Sequence, residues 1–309
     1  MRVRQCAYLS LLVALVTVGC ASPERREEPA TVREAMPLRS ELVESAALDW
    51  PALDLLSPVP HMVFGEPTYV DHDETHNVTR RYGEFTVYYD DRVLAPRWAA
   101  IKMTSAVADA NSDFKRPSRF KKDPFLPDNG FVFTTHKDYN NLPIEPRKWD
   151  RGHIVQFDDV RGYGDEAGRD SMFTTNICPQ LHELNAKGWL TLEQRMTEFA
   201  RDYDRVWLYI GPIYGDDPQP FAEGRRVPAP EAFYRIAVRE ADDGGITAVA
   251  FVMPHEPIPR DADLNEYLTS VDEIEMLTGL DFLHQLPDAM EDGVESAVFG
   301  IWPDLPNEP

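Results

Sequence analysis

The chain has 309 residues, of which 43% are hydrophobic and 27% charged, with a formal net charge of −22. This is enough for one large core or two small ones. Three cysteines, with Cys6 and Cys20 in the first twenty residues and Cys178 alone beyond them, exclude a disulfide framework. The acidity also excludes a uniformly basic, phosphate-gripping surface, because phosphate contacts usually dominate affinity for nucleic acid. The acid is uneven, however. Residues 255–309 hold fourteen Asp and Glu against one Arg, whereas residues 114–153 hold nine Lys and Arg against five acids. A local basic groove on an acidic body reconciles the two.

Residues 1–20 read as a leader. Arg2 and Arg4 precede an apolar run from Tyr8 to Val18 that is too short to span a bilayer comfortably. The run ends Thr17-Val18-Gly19-Cys20, which is similar to a bacterial lipoprotein signal with Cys20 as the acylated first mature residue. The corresponding expectation is a lipid anchor in a membrane of the bacterial cell envelope, the outer membrane first; the alternative is a periplasmic or secreted protein. Residues 21–60 are rich in Pro, Glu and Arg and read as a disordered tether, with a short helix allowed between Leu42 and Leu56. Gly65 to Arg81 reads as a polar loop. A metal site among Asp71, His72, Asp73, Glu74 and His76 matches no common spacing, so a solvated loop is the simpler reading.

Glu84 to Tyr89 alternates as a strand closed by a turn at Asp90-Asp91, and Trp98 to Met103 reads as the next strand. Lys115 to Lys122 carries five basic residues, either a solvated loop or a loop that contacts phosphate. Phe125 to Pro146 is a long Pro/Asn/Asp-rich loop. Asp150, Arg151 and His153 then place a carboxylate, a guanidinium and an imidazole within four residues, on a short strand or its end. Trp189, Leu192, Met196 and Phe199 recur at steps of three and four, which predicts an amphipathic helix from about Asn185 to Ala200. Asn185 lies at its start, as a cap or free for other work. Glu193, eight residues on, is roughly 80° round and about 12 Å along the axis, and both side chains lean toward the helix start.

Strands follow at Arg205–Ile210, Ala232–Val238 and Ile246–Met253. Ser270 with Glu273 opens a helix that Gly279 closes. Residues 288–309 form an acidic tail. With no repeat and no composition break inside residues 80–287, the fold class expected is α+β, one domain over residues 61–287 with a central antiparallel sheet flanked by helices. Cys178 reads as a small buried hydrophobe.

Asp150-Arg151-Gly152-His153, then Thr175-Asn176-Ile177-Cys178-Pro179-Gln180, then Leu184-Asn185-Ala186-Lys187-Gly188-Trp189 with Leu192-Glu193, resemble the DNA/RNA non-specific endonuclease family of the ββα-metal (His-Me finger) type. Blocks at Pro96–Ala100, Arg119–Pro124, Tyr209–Tyr214, Pro228–Arg235 and Ser270–Leu280 extend the resemblance over about residues 78 to 287. It implies His153 as general base and Asn185 as the one direct protein ligand of Mg²⁺, with Mn²⁺ the alternative. It further implies Glu193 holding water around that ion, and Arg151 with a loop arginine on the phosphate. Arg119 is the best match for the loop arginine and Arg116 competes. Asp150 reads as an anchor of the turn and Asn176 as a residue that fixes the backbone bearing the histidine. These types suit the chemistry, because imidazole titrates near neutrality and an amide oxygen suits a hard cation.

The substrates implied are DNA and RNA. One departure is Thr197, where some relatives carry an Arg; Arg195 is the candidate replacement. Taken singly, His153 reads as a core histidine, Asn185 as a cap and Glu193 as a surface acid. The alternative for the whole chain is a catalytically weak binding or structural envelope lipoprotein that keeps the fold.

Overall fold

The computed structural model describes residues 59–69, 73–110, 112–140, 142 and 146–305. The leader, Cys20, the tether and its short helix lie outside the described residues, as do Asp71 and His72.

A seven-stranded, wholly antiparallel sheet forms the centre. Its strands are β2 (Asn77–Arg81), β3 (Phe85–Asp90), β4 (Ala95–Thr104), β7 (Arg205–Ile213), β8 (Ala232–Glu240), β9 (Ile246–Pro254) and β10 (Leu268–Thr269), in the spatial order β10-β9-β8-β7-β4-β3-β2. Two short pairs complete the strands: β1 (Thr68–Tyr69) with β11 (Leu280–Asp281), and β5 (Trp149–His153) with β6 (Ile177–Leu181). The helices, in chain order, are α1 (Ser105–Ala108), α2 (Phe125–Asp128), α3 (Phe157–Val160), α4 (Asp165–Asp170), α5 (Trp189–Tyr203), α6 (Val271–Thr278) and α7 (Asp288–Glu295).

The sheet's two faces follow from the period of two. Ala99, Ile101, Leu208, Ile210, Phe233 and Phe251 turn to one core, where Trp189, Leu192, Met196 and Phe199 of α5 cover them. Trp98, Tyr209, Tyr234, Ile236 and Ala250 turn to the other, closed by Val271 and Ile274 of α6 and Val294 of α7. Both faces are buried, so the central strands are apolar at nearly every position rather than alternating. A third, smaller core around Phe120, Tyr139, Phe157, Met172 and Ile177 lies beneath β5 and β6.

The α+β architecture is the one expected, with four local corrections. Part of Gly65–Arg81 is strand, not loop. Asn-Val-Thr-Arg-Arg of β2 pairs only with β3, and an edge strand with one neighbour tolerates the polar residues that disguised it. The helical run starts upstream of Asn185, at residues 182–183, and passes through a single π-turn at Leu184–Gly188 before the regular helix α5 continues from Trp189. Gly188 permits this turn. A Cβ there would stand 2.3 Å from Ile258 Cγ2, while the Gly188 amide donates to the Ile258 carbonyl at 3.2 Å. Phe125 to Pro146 carries two short helical segments, α2 and a 3₁₀ turn at His136–Tyr139.

The fourth correction concerns the acidic tail, which contains α7 and then returns to the core. Trp302 is buried against Phe199, 4.7 Å between ring centroids, and Tyr203 closes around it. Arg195 donates to the Trp302 carbonyl at 2.7 Å and pairs with Asp304 and Glu198. Arg195 is therefore committed to the tail and does not replace the arginine missing at Thr197. Truncating Trp302 to Ala is expected to destabilise the fold by about 3 kcal/mol, measured by urea unfolding; a change below ~0.5 kcal/mol would show the tail to be merely draped over the surface.

Candidate active site

The site is built where β5 and β6 lie against the start of α5. The two strands pair antiparallel with Gly152 opposite Cys178 and His153 opposite Ile177. Gly152 is a matter of space, since a Cβ would fall 2.3 Å from Gln180 Oε1. Alternation then separates the functional side chains. Arg151 and His153 turn to Phe120, with the guanidinium 5.3 Å and the imidazole 5.1 Å from its ring. Asp150 turns the other way, to the π-turn and His182.

Asn176 fixes the strand end. It is fully buried. Its Oδ1 accepts from the Val155 amide at 2.9 Å, and its Nδ2 donates to the carbonyls of Val155 and Ser171 at 2.8 and 3.0 Å. The Ile154 amide in turn donates to the Asn176 carbonyl at 3.0 Å. The backbone immediately after His153 is thereby held from both sides.

His153 is 8% exposed. Arg116 Nη2 lies 3.0 Å from its Nδ1 and donates to it, which leaves the ring proton on Nε2. Burial, then the charges of Arg116 and Arg151, hold its pKa well below the ordinary imidazole value. The ring is neutral, with its basic lone pair on Nδ1. Of the two loop arginines, it is Arg116 that reaches the histidine. Arg119, the better sequence match, is exposed and does not line the adjacent cleft. The reason is its neighbour: Phe120 is buried in the third core, and Lys121 bridges to Phe173 through backbone hydrogen bonds at Met172 and Thr174. Arg119 lies in the bend just before that anchor and faces out.

Asn185 sits in the π-turn and is not a cap; neither the turn nor α5 has a side-chain cap. Its Nδ2 donates to Asp150 Oδ2 at 2.9 Å, and the same oxygen accepts from His182 Nδ1 at 2.8 Å. Asp150 therefore fixes the amide with its nitrogen toward the strand, and among the described residues nothing donates to the amide oxygen. Asp150, Asn185, Arg151, Arg116, Phe120 and Trp149 line a cleft of about 500 Å³.

Glu193 is 6% exposed, and burial pushes its carboxyl up to about 8 against the opposing pull of Arg235. Arg235 of β8 was not foreseen as a site residue. It is fully buried, its Nη2 is 3.6 Å from Glu193 Oε1, and its guanidinium lies 5.1 Å from the Trp189 ring centroid. Its three side-chain nitrogens have no hydrogen-bond acceptor among the described residues. Asp159 of α3, also buried and raised to about 6, feels the same guanidinium. Thr197 hydrogen-bonds the Glu193 carbonyl at 3.2 Å. Positive charge near Glu193 thus comes from across the sheet, not from the next helical turn. The signal available in the sequence was an arginine inside an otherwise apolar strand, Phe-Tyr-Arg-Ile-Ala-Val.

Cys178 is buried and bonded to the Tyr214 hydroxyl at 3.3 Å, and burial pushes its thiol up to about 12. It is a packing residue beneath the site.

An amide oxygen and two guanidiniums that line one cleft, with a buried imidazole against Phe120 beside it, suit hydrolysis of a phosphodiester. The family model for DNA/RNA non-specific endonuclease matches residues 67–289, and the chain belongs to that family. The mitochondrial nuclease EXOG of Xenopus laevis is 28% identical over 225 residues, covering 69% of this chain and 60% of that protein. Human mitochondrial endonuclease G is 25% identical over 210 residues, covering 64% of this chain and 67% of its own length. A nuclease of Nostoc sp. is 28% identical over 300 residues, covering 94% and 96%. The chain thus spans about three-fifths of the EXOG nucleases it matches. A solved structure of EndoG with its inhibitor EndoGI shares the fold, with a TM-score of 0.61 at 24% identity over 73% of this chain and 91% of that one.

Two outcomes test this geometry. Asn176→Ala is expected to lose about 3 kcal/mol of stability, because it strips buried backbone groups of their partners. Asn176→Asp is expected to do no better, since a carboxylate cannot donate to two carbonyls; urea unfolding reads both. In a chain with Cys6 and Cys20 changed to serine, Cys178 is expected to stay unlabelled by a thiol reagent at pH 8 until the protein is denatured.

Proposed function

We propose that this protein is a metal-dependent endonuclease that hydrolyses phosphodiester bonds of DNA and RNA with little sequence selectivity. The observation that supports it most is the neutral His153 imidazole with Nδ1 turned to Arg116 beside a cleft that also holds Arg151 and Asn185.

The donor set fits a hard divalent cation. Asn185 presents an amide oxygen already oriented by Asp150, and Glu193 is a carboxylate at the buried end of the same helix. Such oxygens suit Mg²⁺, which keeps several waters, with Mn²⁺ the alternative. Asn185 would hold the ion directly and Glu193 through its water of hydration. When bound, the ion supplies Lewis-acid stabilisation of charge on the phosphate and the leaving oxygen.

The chain's own residues do the rest. On binding, Arg116 turns from Nδ1 to a non-bridging phosphate oxygen, and Arg151 takes another. The bared Nδ1 accepts a proton from water as the water oxygen bonds to phosphorus. The bond from phosphorus to the leaving sugar oxygen breaks, and that oxygen takes a proton from solvent. Asp150 and Asn176 hold the amide and the imidazole in place and exchange no proton. Arg235 partly offsets the burial that favours the neutral form of the Glu193 carboxyl. Contacts of this kind grip the backbone, which carries no sequence information directly.

Cys20, in this reading, is the lipid-bearing residue that holds the enzyme at the bacterial envelope, and its sequence context is what supports it. Cys20→Ser is expected to move the protein from the membrane fraction to the soluble one.

The deciding experiment is cleavage of supercoiled plasmid and of structured RNA, with Mg²⁺ and with EDTA. Cleavage is expected only with metal, falling by ~10²–10⁴-fold in His153→Ala and steeply with salt. Asp150→Ala is expected to raise the Mg²⁺ needed by ~10-fold or more, because it frees the amide. Unchanged cleavage in a folded His153→Ala would sink the mechanism. No cleavage at any salt by the folded parent would favour the binding-protein alternative.

A further inference from the structure

On the face of the sheet away from α5, three carboxylates from two helices converge. Asp272 and Glu275 stand one turn apart on α6, and Glu295 is the last residue of α7. One oxygen from each lies within 4.8 Å of the other two. Asp272 is exposed, Glu275 half-buried and Glu295 buried, so the cluster opens to solvent on one side only.

Glu295 is the informative member. It is 6% exposed, and its Oε1 has no hydrogen-bond partner among the described residues. It also ends a helix, where the peptide dipoles present their negative end, and the last turn of α7 holds no basic residue. The charged neighbours that weigh most on it are Glu275, Glu291, Asp272 and Asp281, all acids, and burial with this company pushes its carboxyl to about 9. Glu275 is pushed to about 7 although its Oε1 accepts from the Phe282 amide at 2.7 Å. A buried carboxylate with one orphaned oxygen, at the wrong end of a helix and surrounded by acids, is costly unless positive charge meets it.

We propose that Asp272, Glu275 and Glu295 form a second cation site, apart from the catalytic cleft, that takes a hard divalent ion of the calcium class and fastens α7 to α6. The chemistry is specific in two respects. All three ligands are carboxylate oxygens, and no two of them are farther apart than the width of a shell with metal–oxygen distances of about 2.4 Å. The open flank at Asp272 leaves room for the waters that complete such a shell. The ion would stabilise the segment between the sheet and the Trp302 anchor rather than take part in hydrolysis.

The test uses the full chain carrying Asn185→Ala, which removes the amide ligand of the cleft, after stripping with EDTA. CaCl₂ is titrated by calorimetry and followed by thermal unfolding, with MgCl₂ as a second arm. One calcium per chain and a rise in Tm of several degrees are expected, with Mg²⁺ weaker. Adding Glu295→Gln is expected to weaken binding at least tenfold and abolish the rise, while melting no lower than its parent in ion-free buffer because a like charge has gone. Adding the exposed Asp272→Asn to the same parent, a change with little scope to disturb folding, should also weaken binding. No heat and no shift at several millimolar of either ion would overturn the proposal and leave a cluster that shares protons instead. Binding that survives both variants would overturn it equally. Neither readout involves cleavage, so its failure and that of the nuclease reading are separable.

Discussion

The pairing of β5 with β6 is the constraint on which the site depends. Side chains alternate across a strand, so the register decides which partners each one meets. With Gly152 opposite Cys178, Arg151 and His153 share the Phe120 side, and Asp150 alone meets Asn185. A slip of one residue would exchange these sets, sending the carboxylate to the Phe120 side and Arg151 with the imidazole to the helix start. Two local features oppose that slip. The Gln180 side chain leaves space only for glycine at position 152, and Asn176 clamps the backbone where β5 ends. The chemistry rests on short-range fit within ten residues of strand, while the large sheet supplies a floor.

That floor has an unusual property for a hydrophobic core: it contains charge. Glu193, Arg235 and Asp159 lie among tryptophan and phenylalanine side chains, with the nearest approach of opposite charges at 3.6 Å and the guanidinium short of acceptors. Such an arrangement adds little or nothing to stability relative to apolar packing. Its retention beneath the cleft is understandable if it serves the reaction, because an enzyme tolerates local cost where charge must be held ready. Charge is also unevenly placed: of the basic residues between Phe114 and His153, Arg116 and Arg151 line the cleft, whereas half of the acids of residues 255–309 lie on α6 and α7, against the opposite face of the sheet.

Much of this was legible in the sequence, for identifiable reasons. The central strands announced themselves because burial on both faces demands long apolar runs, and α5 because one apolar stripe recurs at helical spacing. Asp150, His153, Asn176, Asn185 and Glu193 were visible because their types and separations form a recurring pattern. What escaped was set by contacts between distant residues. The edge strand β2 hid behind polar letters. The π-turn at Asn185 depends on Ile258, more than seventy positions away. Arg235 reads as an oddity in a strand until β8 is laid beneath α5. That Arg116 rather than Arg119 touches His153 is a matter of how the loop packs around Phe120, and no spacing rule reads that.

The burial of Trp302 against Phe199 and Tyr203 bears on the order of events in folding. The helix that carries Glu193 is finished by residue 203, yet one flank of it is covered only by a side chain about a hundred positions later. Contacts of such long sequence separation form late and slow the overall rate. During vectorial emergence of the chain, α5 therefore stays partly uncovered until Trp302, about a hundred residues after it, is available.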